Sequence, residues 1–293
     1  MSTIAVIAHA GKSIEGGLPQ LRRTLAAAGV DVPIWYEVPK SRKAPKQVRR
    51  ALKQGADLLI VWGGDGMVQR CIDAMAGSDV TLAIVPAGTA NLFASNLGIP
   101  KDIEGAVRVA LSEQTRAVDV GRMNGERFVV MAGAGFDAEM IRSANGGLKD
   151  RLGRVAYVVT GARAVRSKPF RATVNVDGSP WFTGRASCVL VGNVGALFGG
   201  VTVFADAEPD DGMVDLGVIT ADGLVQWART AARTAVGSIA ESPFAQVTKG
   251  RTVKVKLDRK VRYQLDGGDR AKARKFRIDV QPASVHVRVP AAV

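Results

Sequence analysis

The chain has 293 residues, 47% of them hydrophobic, and a formal charge of +13. That length suffices for two domains with a buried core, and no apolar run approaches the roughly 20 residues of a membrane-spanning helix. Its two cysteines, Cys71 and Cys188, lie far apart with no second Cys or His beside either, which excludes a disulfide framework and a zinc site; both read as core thiols.

The opening residues, MSTIAVIAHAG, lack the basic start and long apolar stretch of a signal peptide, so a cytoplasmic protein is expected. Residues 4–8 read as a strand, followed by a helix over 18–28, a strand over 34–38, a helix over 45–54 and a strand over 58–62. After the glycines at 63–66 come a helix over 68–75, a strand over 81–85 and another helix through Ala110. Such alternation predicts a parallel sheet covered on both faces, with ligands at the carboxyl ends of its strands. From about Phe128 the rhythm changes to strands over 128–132, 172–176, 188–191, 216–219, 253–257, 262–265, 276–280 and 285–289, with helical patterns at 151–165 and 224–236. Several alternate, as in Val253-Lys254-Val255-Lys256-Leu257, so an antiparallel, half-exposed arrangement is expected. The fold class is therefore α/β followed by β. The domains are expected at 1–122, with 281–293 a candidate to complete the first, and at 123–280.

Much of the charge is local. Residues 249–277 carry twelve Lys/Arg against Asp258, Asp266 and Asp269, and residues 40–53 carry seven Lys/Arg and no acid. Such fields attract anionic lipid, nucleic acid or nucleotide phosphate alike, and the bland alternative is a solvated face with Lys-guarded edge strands. No aromatic interleaves the first run and only Tyr263 and Phe276 fall in the second. A stacking platform for single strands is not built, and no nucleic-acid partner is expected.

The sharpest local signal is Leu58-Leu59-Ile60-Val61-Trp62-Gly63-Gly64-Asp65-Gly66, an apolar strand that ends in three glycines around one carboxylate and opens a helix. Glycines let backbone N–H groups approach phosphate, a helix N-terminus favours anions, and the Asp can hold Mg2+ or orient a hydroxyl. A tight strand-to-helix turn capped by the Asp explains the same residues equally well. Ile84-Val85-Pro86-Ala87-Gly88-Thr89-Ala90-Asn91 repeats the logic after the next strand. Two such turns on neighbouring strands point to a nucleotide site. Gly11-Lys12-Ser13 has the ending of a Walker A loop but not the loop, because Val6 stands where its first glycine belongs. Lys12 is either a phosphate contact or a solvated lysine. His9 reads as a turn residue and His286 as a structural one.

Taken in order, GGDG after an apolar strand, PAGTAN-LFASNLGIP, VDVGRMNGERFVVMAGAGFDAEM, DDGMVDLGVIT and YQLDGG resemble the diacylglycerol kinase catalytic family, which includes bacterial lipid kinases and sphingosine kinases. The resemblance covers nearly the whole chain, whereas GGDG alone also occurs in NAD kinases and phosphofructokinases. It implies an α/β nucleotide-binding domain of the NAD kinase and phosphofructokinase kind and an antiparallel β-sandwich lipid domain. It also implies ATP and Mg2+ as cofactors, and phosphorylation of a lipid hydroxyl, foremost that of diacylglycerol; the concentrated basic charge adds the expectation of a protein peripheral to an anionic membrane surface. The resemblance places Gly63, Gly64, Asp65, Gly66, Met67, Gly88, Thr89 and Asn91 in ATP-binding loops. It makes Asp266 the general base, with Asp65 its rival, and Asp211 a structural metal ligand alongside the carbonyls of Glu208 and Met213. Asp137 falls at the polar head of the lipid. A turn-capping role for Asp211 and a buried structural role for Asp137 are the alternatives.

Three positions depart from the pattern. Leu92 and Gly268 stand where the family usually has acids, and Met67 stands where it usually has Thr; Asp269 lies one position beyond the missing acid. These departures keep a nucleotide- or lipid-binding protein without turnover as a competing reading, beside an NAD kinase. A homodimer is one assembly the sequence allows.

Overall fold

The computed structural model describes residues 3–135, 168–197, 201–236 and 239–291. The helical pattern at 151–165 lies outside them. The chain divides into two compact units, Met1–Val118 with Ala283–Val293, and Asp119–Pro282.

The first unit alternates β1 (Ile4–His9), α1 (Gly17–Ala27), β2 (Ile34–Val38), α2 (Ala44–Lys53), β3 (Leu58–Gly63), α3 (Asp65–Met75) and β4 (Thr81–Pro86), then adds α4 (Leu92–Asn96) and α5 (Ile103–Leu111). The strands run parallel in the order β2-β1-β3-β4. Beside β4 lies the far end of a late strand, Gly268–Arg288, also parallel, with Val287 opposite Leu82. Every residue of β3 is buried, as a central strand covered on both faces requires. In α2 the buried residues Ala44, Val48 and Ala51 recur at helical spacing, while Lys46, Arg49, Arg50 and Lys53 are exposed. Most of the first basic run is thus the solvent face of a helix. The helix expected through Ala110 is in fact two. Gly98 takes a left-handed φ of 70°, and Pro100 holds Ile99 out of the helical region. Asp102 restarts the helix, its carboxylate accepting from the Gly105 amide at 2.6 Å.

The second unit holds most of β5 (Thr115–Met123), then β6 (Glu126–Phe128), β7 (Met131–Ala134), β8 (Phe170–Val176), β9 (Ser179–Ala186), β10 (Cys188–Gly192), β11 (Ala196–Leu197), β12 (Val201–Thr202) and β13 (Val214–Ile219). After these come α6 (Gly223–Val236), β14 (Ala245–Gly250), β15 (Thr252–Leu265) and most of β16 (Gly268–Arg288). Antiparallel pairing gives the order β14-β13-β10-β7-β15-β16, with β8 and β9 branching from β15. The branch is what makes two layers. Residues 253–257 of β15 pair with β8, whereas residues 263–265 pair with β7. Between them the register against β16 shifts twice, at Lys256/Val261 and Val261/Tyr263. Such bulges bend a strand so that it passes from one sheet to the other. The core of this unit includes Phe128, Phe170, Leu216, Val255 and Phe276, and the Tyr263 ring stands edge-on to Phe276 at 5.3 Å. The fold is thus an N-terminal α/β domain and a C-terminal β-sandwich. Segments read separately from the sequence, 253–257 with 262–265 and 276–280 with 285–289, are single long strands. Among the described residues no helix is long and apolar enough to cross a membrane.

Candidate functional site

In the first unit β1, β3 and β4 end side by side, with Ala8 opposite Trp62 and Gly63 opposite Pro86. The turns leaving them share one sheet edge, where ligands of such sheets bind. In the first turn Lys12 is exposed, and its carbonyl accepts from Trp62 Nε1 at 3.1 Å. His9 Nδ1 accepts from the Gly11 amide at 3.1 Å, a local turn bond.

The two glycine turns touch. A Cβ added to Gly88 falls 2.4 Å from the Cα of Gly64, and one added to Gly64 falls 2.9 Å from the Cα of Gly88. Backbone meets backbone there, so no side chain fits. Asn91 holds the second turn in shape from a left-handed φ of 51°. Its Oδ1 accepts from the Gly88 amide at 2.8 Å and its Nδ2 donates to the Gly88 carbonyl at 2.9 Å. Asp65, at the start of α3, accepts from the Phe93 amide of α4 at 2.9 Å. Burial pushes its carboxyl above the ordinary value, while the backbone amides of Phe93, Leu92, Asp65 and Asn91 pull it back. The carboxylate is therefore a bridge between the two turns. Thr89 and Gly66 are exposed beside it. Met67 is 2% exposed, and a Cβ on Gly63 falls 2.6 Å from that of Met67, so the Met67 side chain packs over the end of β3. Leu92 is buried too, so this apolar replacement joins the core.

In the second unit Asp266 and Gly267 make the two-residue turn between β15 and β16, both at positive φ, 45° and 76°. That is the type I′ hairpin geometry Asp-Gly favours. The Asp266 carboxylate is gripped by backbone: Oδ2 accepts from the Val129 amide and Oδ1 from those of Val130 and Met131, each at 2.9 Å. Its own amide donates to the Met131 carbonyl at 2.8 Å. The strand expected over 128–132 breaks into β6 and β7 here, because the amides between them bond to a side chain and not to a neighbouring strand. Gln264 Oε1 accepts from the Gly267 amide at 2.8 Å, and Arg270 donates to the Gly268 carbonyl at 3.1 Å and to Glu126 Oε2 at 2.7 Å. Asp269 is exposed. This clamp on residues 129–131 was missed by sequence reasoning; the Asp-Gly turn was its one visible sign.

Asp211 lies in the turn before β13. Its Oδ1 accepts from the Met213 amide at 2.9 Å and its Oδ2 from Lys249 Nζ at 2.7 Å. The same ammonium donates to the Asp206 carbonyl, and Asp215 is the cross-strand neighbour of Lys249. Burial pushes the Asp215 carboxyl up to about 6 against the pull of Lys249, with Asp211 and Asp206 pushing the same way as burial. Burial pulls Lys249 down, but its bond to Asp211 and the charges of Asp215, Asp211 and Asp206 outweigh that and hold it above its ordinary value. Glu208 is exposed. The buried Asp119, not singled out from the sequence, pins the turn: its Oδ2 accepts from the Gly212 amide at 2.6 Å and its amide donates to the Pro209 carbonyl at 2.7 Å. Among the described residues no group of three or more His, Cys, Asp or Glu is arranged to hold a metal ion. Asp137 lies outside the described residues.

Comparison with known proteins gives a consistent assignment. The diacylglycerol kinase catalytic domain matches residues 4–123, and the YegS C-terminal NAD kinase beta sandwich-like domain matches residues 130–289. A diacylglycerol kinase of Bacillus subtilis is 31% identical over 228 residues, 76% of this chain and 75% of its own length. A probable lipid kinase, YegS-like, of Pseudomonas aeruginosa is 32% identical over 259 residues, 85% of this chain and 82% of its own. Among solved structures, a diacylglycerol kinase from Bacillus anthracis str. Sterne shares the fold with a TM-score of 0.79 at 22% identity, covering 100% of this chain and 98% of that one. An NAD kinase from Archaeoglobus fulgidus in complex with ATP shares it more distantly, with a TM-score of 0.51 at 10% identity over 97% and 93%.

Proposed function

The chain belongs to the diacylglycerol kinase catalytic family, and from that premise we propose that it transfers the γ-phosphoryl group of ATP to a lipid hydroxyl, with diacylglycerol or a close relative as acceptor. The observation that carries this reading is the contact between the turns at 63–66 and 87–91, at the carboxyl edge of a parallel sheet. The Gly88 amide is held by Asn91, while the glycine turn at 63–66 opens α3, whose N-terminus favours phosphate oxygens. Thr89 and Lys12, exposed at the same edge, add a hydroxyl and a cation.

Asp65 suits a Mg2+ ion that enters with the nucleotide, because a buried carboxyl stabilised by backbone amides gains from a nearby cation. When bound, Mg2+ neutralises charge on the transferring phosphoryl group. In this reading Asp266 receives the proton of the lipid hydroxyl, its orientation fixed by three amides. Asp137 is assigned to the lipid headgroup. The domains are assigned as 1–122, with 281–293, for the nucleotide and 123–280 for the lipid, in a cytoplasmic protein that works at the membrane surface.

Transfer of label from γ-labelled ATP to a panel of diacylglycerol, monoacylglycerol, sphingosine, ceramide and NAD tests this. Label is expected in a lipid and absent from NAD. Label in NAD alone overturns the lipid assignment. Binding of Mg·ATP with no transfer to any acceptor favours instead a binding protein without turnover, the reading that Leu92 and Gly268 support.

A further inference from the structure

We propose that the cation of the acidic turn at 206–215 is the chain's own Lys249 ammonium, and that no divalent ion is bound there while Lys249 is in place. The family pattern assigns a metal to Asp211 with the carbonyls of Glu208 and Met213, and the residues present do not fit one. Both oxygens of Asp211 are engaged, Oδ1 by the Met213 amide at 2.9 Å and Oδ2 by Lys249 Nζ at 2.7 Å. The ammonium also takes the Asp206 carbonyl, so the Asp211 oxygen that a hard divalent ion needs is already held by a cation with a second anchor in the same turn. A metal ion has to displace Lys249 or sit beside it against like-charge repulsion.

The lysine is delivered by the fold. It stands on β14 in a register against β13 that runs unbroken from Val214↔Gly250 to Ile219↔Ala245 and puts it opposite Asp215. The Lys249 and Asp211 side chains are only 27% and 17% exposed, so solvent screens the pair little. The turn that presents Asp211 is also fixed without a metal, since Asp119 bonds to the amide of Gly212 and the carbonyl of Pro209. The Asp215 and Asp206 carboxyls add negative potential around the one ammonium. Lys249 therefore supplies a positive charge from within the chain at the carboxylate assigned to a metal ion, and this holds whichever acceptor the protein uses.

The test is thermal unfolding of the full chain without nucleotide, in EDTA and in millimolar Mg2+ or Ca2+. The wild-type midpoint is expected to be the same in all three. Lys249→Met keeps most of the stem but removes the charge, and its midpoint in EDTA is expected to fall by on the order of 5 °C. Added Ca2+ or Mg2+ then recovers much of that loss, because the ion now enters among uncompensated carboxylates and stabilises by mass action. Asp211→Asn in the Lys249→Met background abolishes the recovery, and Lys249→Arg stays indifferent to metal. A wild-type midpoint that rises with either ion, with the rise lost in Asp211→Asn, overturns the proposal, as does a Lys249→Met protein as stable as wild type. Should Lys249→Met fail to fold, Mn2+ binding to wild type followed by electron paramagnetic resonance decides. Absence of a bound ion that depends on Asp211 supports the tethered cation, and one such ion per chain overturns it.

Discussion

Asp65 accepts from the Phe93 amide, and Asp266 accepts from the amides of Val129, Val130 and Met131. Each carboxylate therefore has a structural task beside any chemical one, and substitutions must be read with both in view. Asp266→Asn turns one carboxylate oxygen into an N–H donor facing backbone donors. At least one bond is lost, which costs about 1–3 kcal/mol and lowers the midpoint by several degrees. As the base, it also loses turnover by roughly 10² to 10⁴ while ATP affinity stays within about twofold. Kinetics and melting run on the same preparation separate the two: a fall in stability with turnover intact makes Asp266 a clamp only and moves the base to Asp65. Asp65→Asn is expected to weaken Mg·ATP binding together with turnover, which isothermal titration checks. Gly88→Ala places a methyl 2.4 Å from the Cα of Gly64. No side chain can move aside there, so the turns must part, and nucleotide affinity is expected to fall at least tenfold, by about 1.4 kcal/mol. Normal nucleotide binding by Gly88→Ala removes the paired turns from the site.

At the scale of elements, the turn joining β8 and β9 offers a test of how much a local bond holds. Asp177, at φ 49°, accepts from the Thr252 amide at 2.7 Å, the Thr252 hydroxyl at 3.2 Å and the Arg251 amide at 3.0 Å, tying the hairpin to the start of β15. The Thr252 amide chiefly holds its carboxyl below the ordinary value, with slight burial opposing. A folded value below the unfolded one, about 3.9, adds stability that is present above pH 4 and lost as pH falls through the folded value. Asp177→Asn is expected to lower the midpoint at pH 7 by about 1–3 °C and to narrow the gap between pH 7 and pH 3. An unchanged gap in calorimetry leaves the turn without that role. The same elements show what the sequence could convey. Buried strands such as β3 and the amphipathic face of α2 were legible because their patterns are local. The break between β6 and β7 was not, because the carboxylate responsible lies 137 residues from Val129. The passage of β15 between sheets was equally hidden, since alternation continues through residues 253–257 without announcing the bulges that follow.

Across the whole molecule the clustering of charge was legible, but its sorting was not. Within the basic run at 249–277, Lys249, Arg259, Arg270 and Arg274 turn to carboxylate or carbonyl oxygens of the fold. Lys254, Lys256, Lys275 and Arg277 stay exposed, and the register sets Lys254 opposite Arg277 and Lys256 opposite Lys275. Residues directly opposite, and those two apart along a strand, share a face of the sheet. Arg171 and Arg185 form another like-charged cross-strand pair on the neighbouring β8 and β9, Arg185 reaching Asp222 at 3.5 Å. Like charges placed opposite one another cost stability, a cost that contact with an anionic surface relieves. Replacing Lys254, Lys256, Lys275 and Arg277 with Gln is therefore expected to weaken binding to phosphatidylglycerol vesicles by on the order of 100- to 1000-fold, since each such charge contributes about 1 kcal/mol. The melting temperature is expected to hold or rise slightly as the repulsions go. Wild-type binding should fall steeply as salt increases, because screening over about 8 to 10 Å removes the attraction. Turnover on a water-soluble short-chain acceptor should persist in the fourfold variant, separating docking from chemistry. Sedimentation that is as strong with phosphatidylcholine vesicles, or unchanged by the four substitutions, removes this face from the membrane contact.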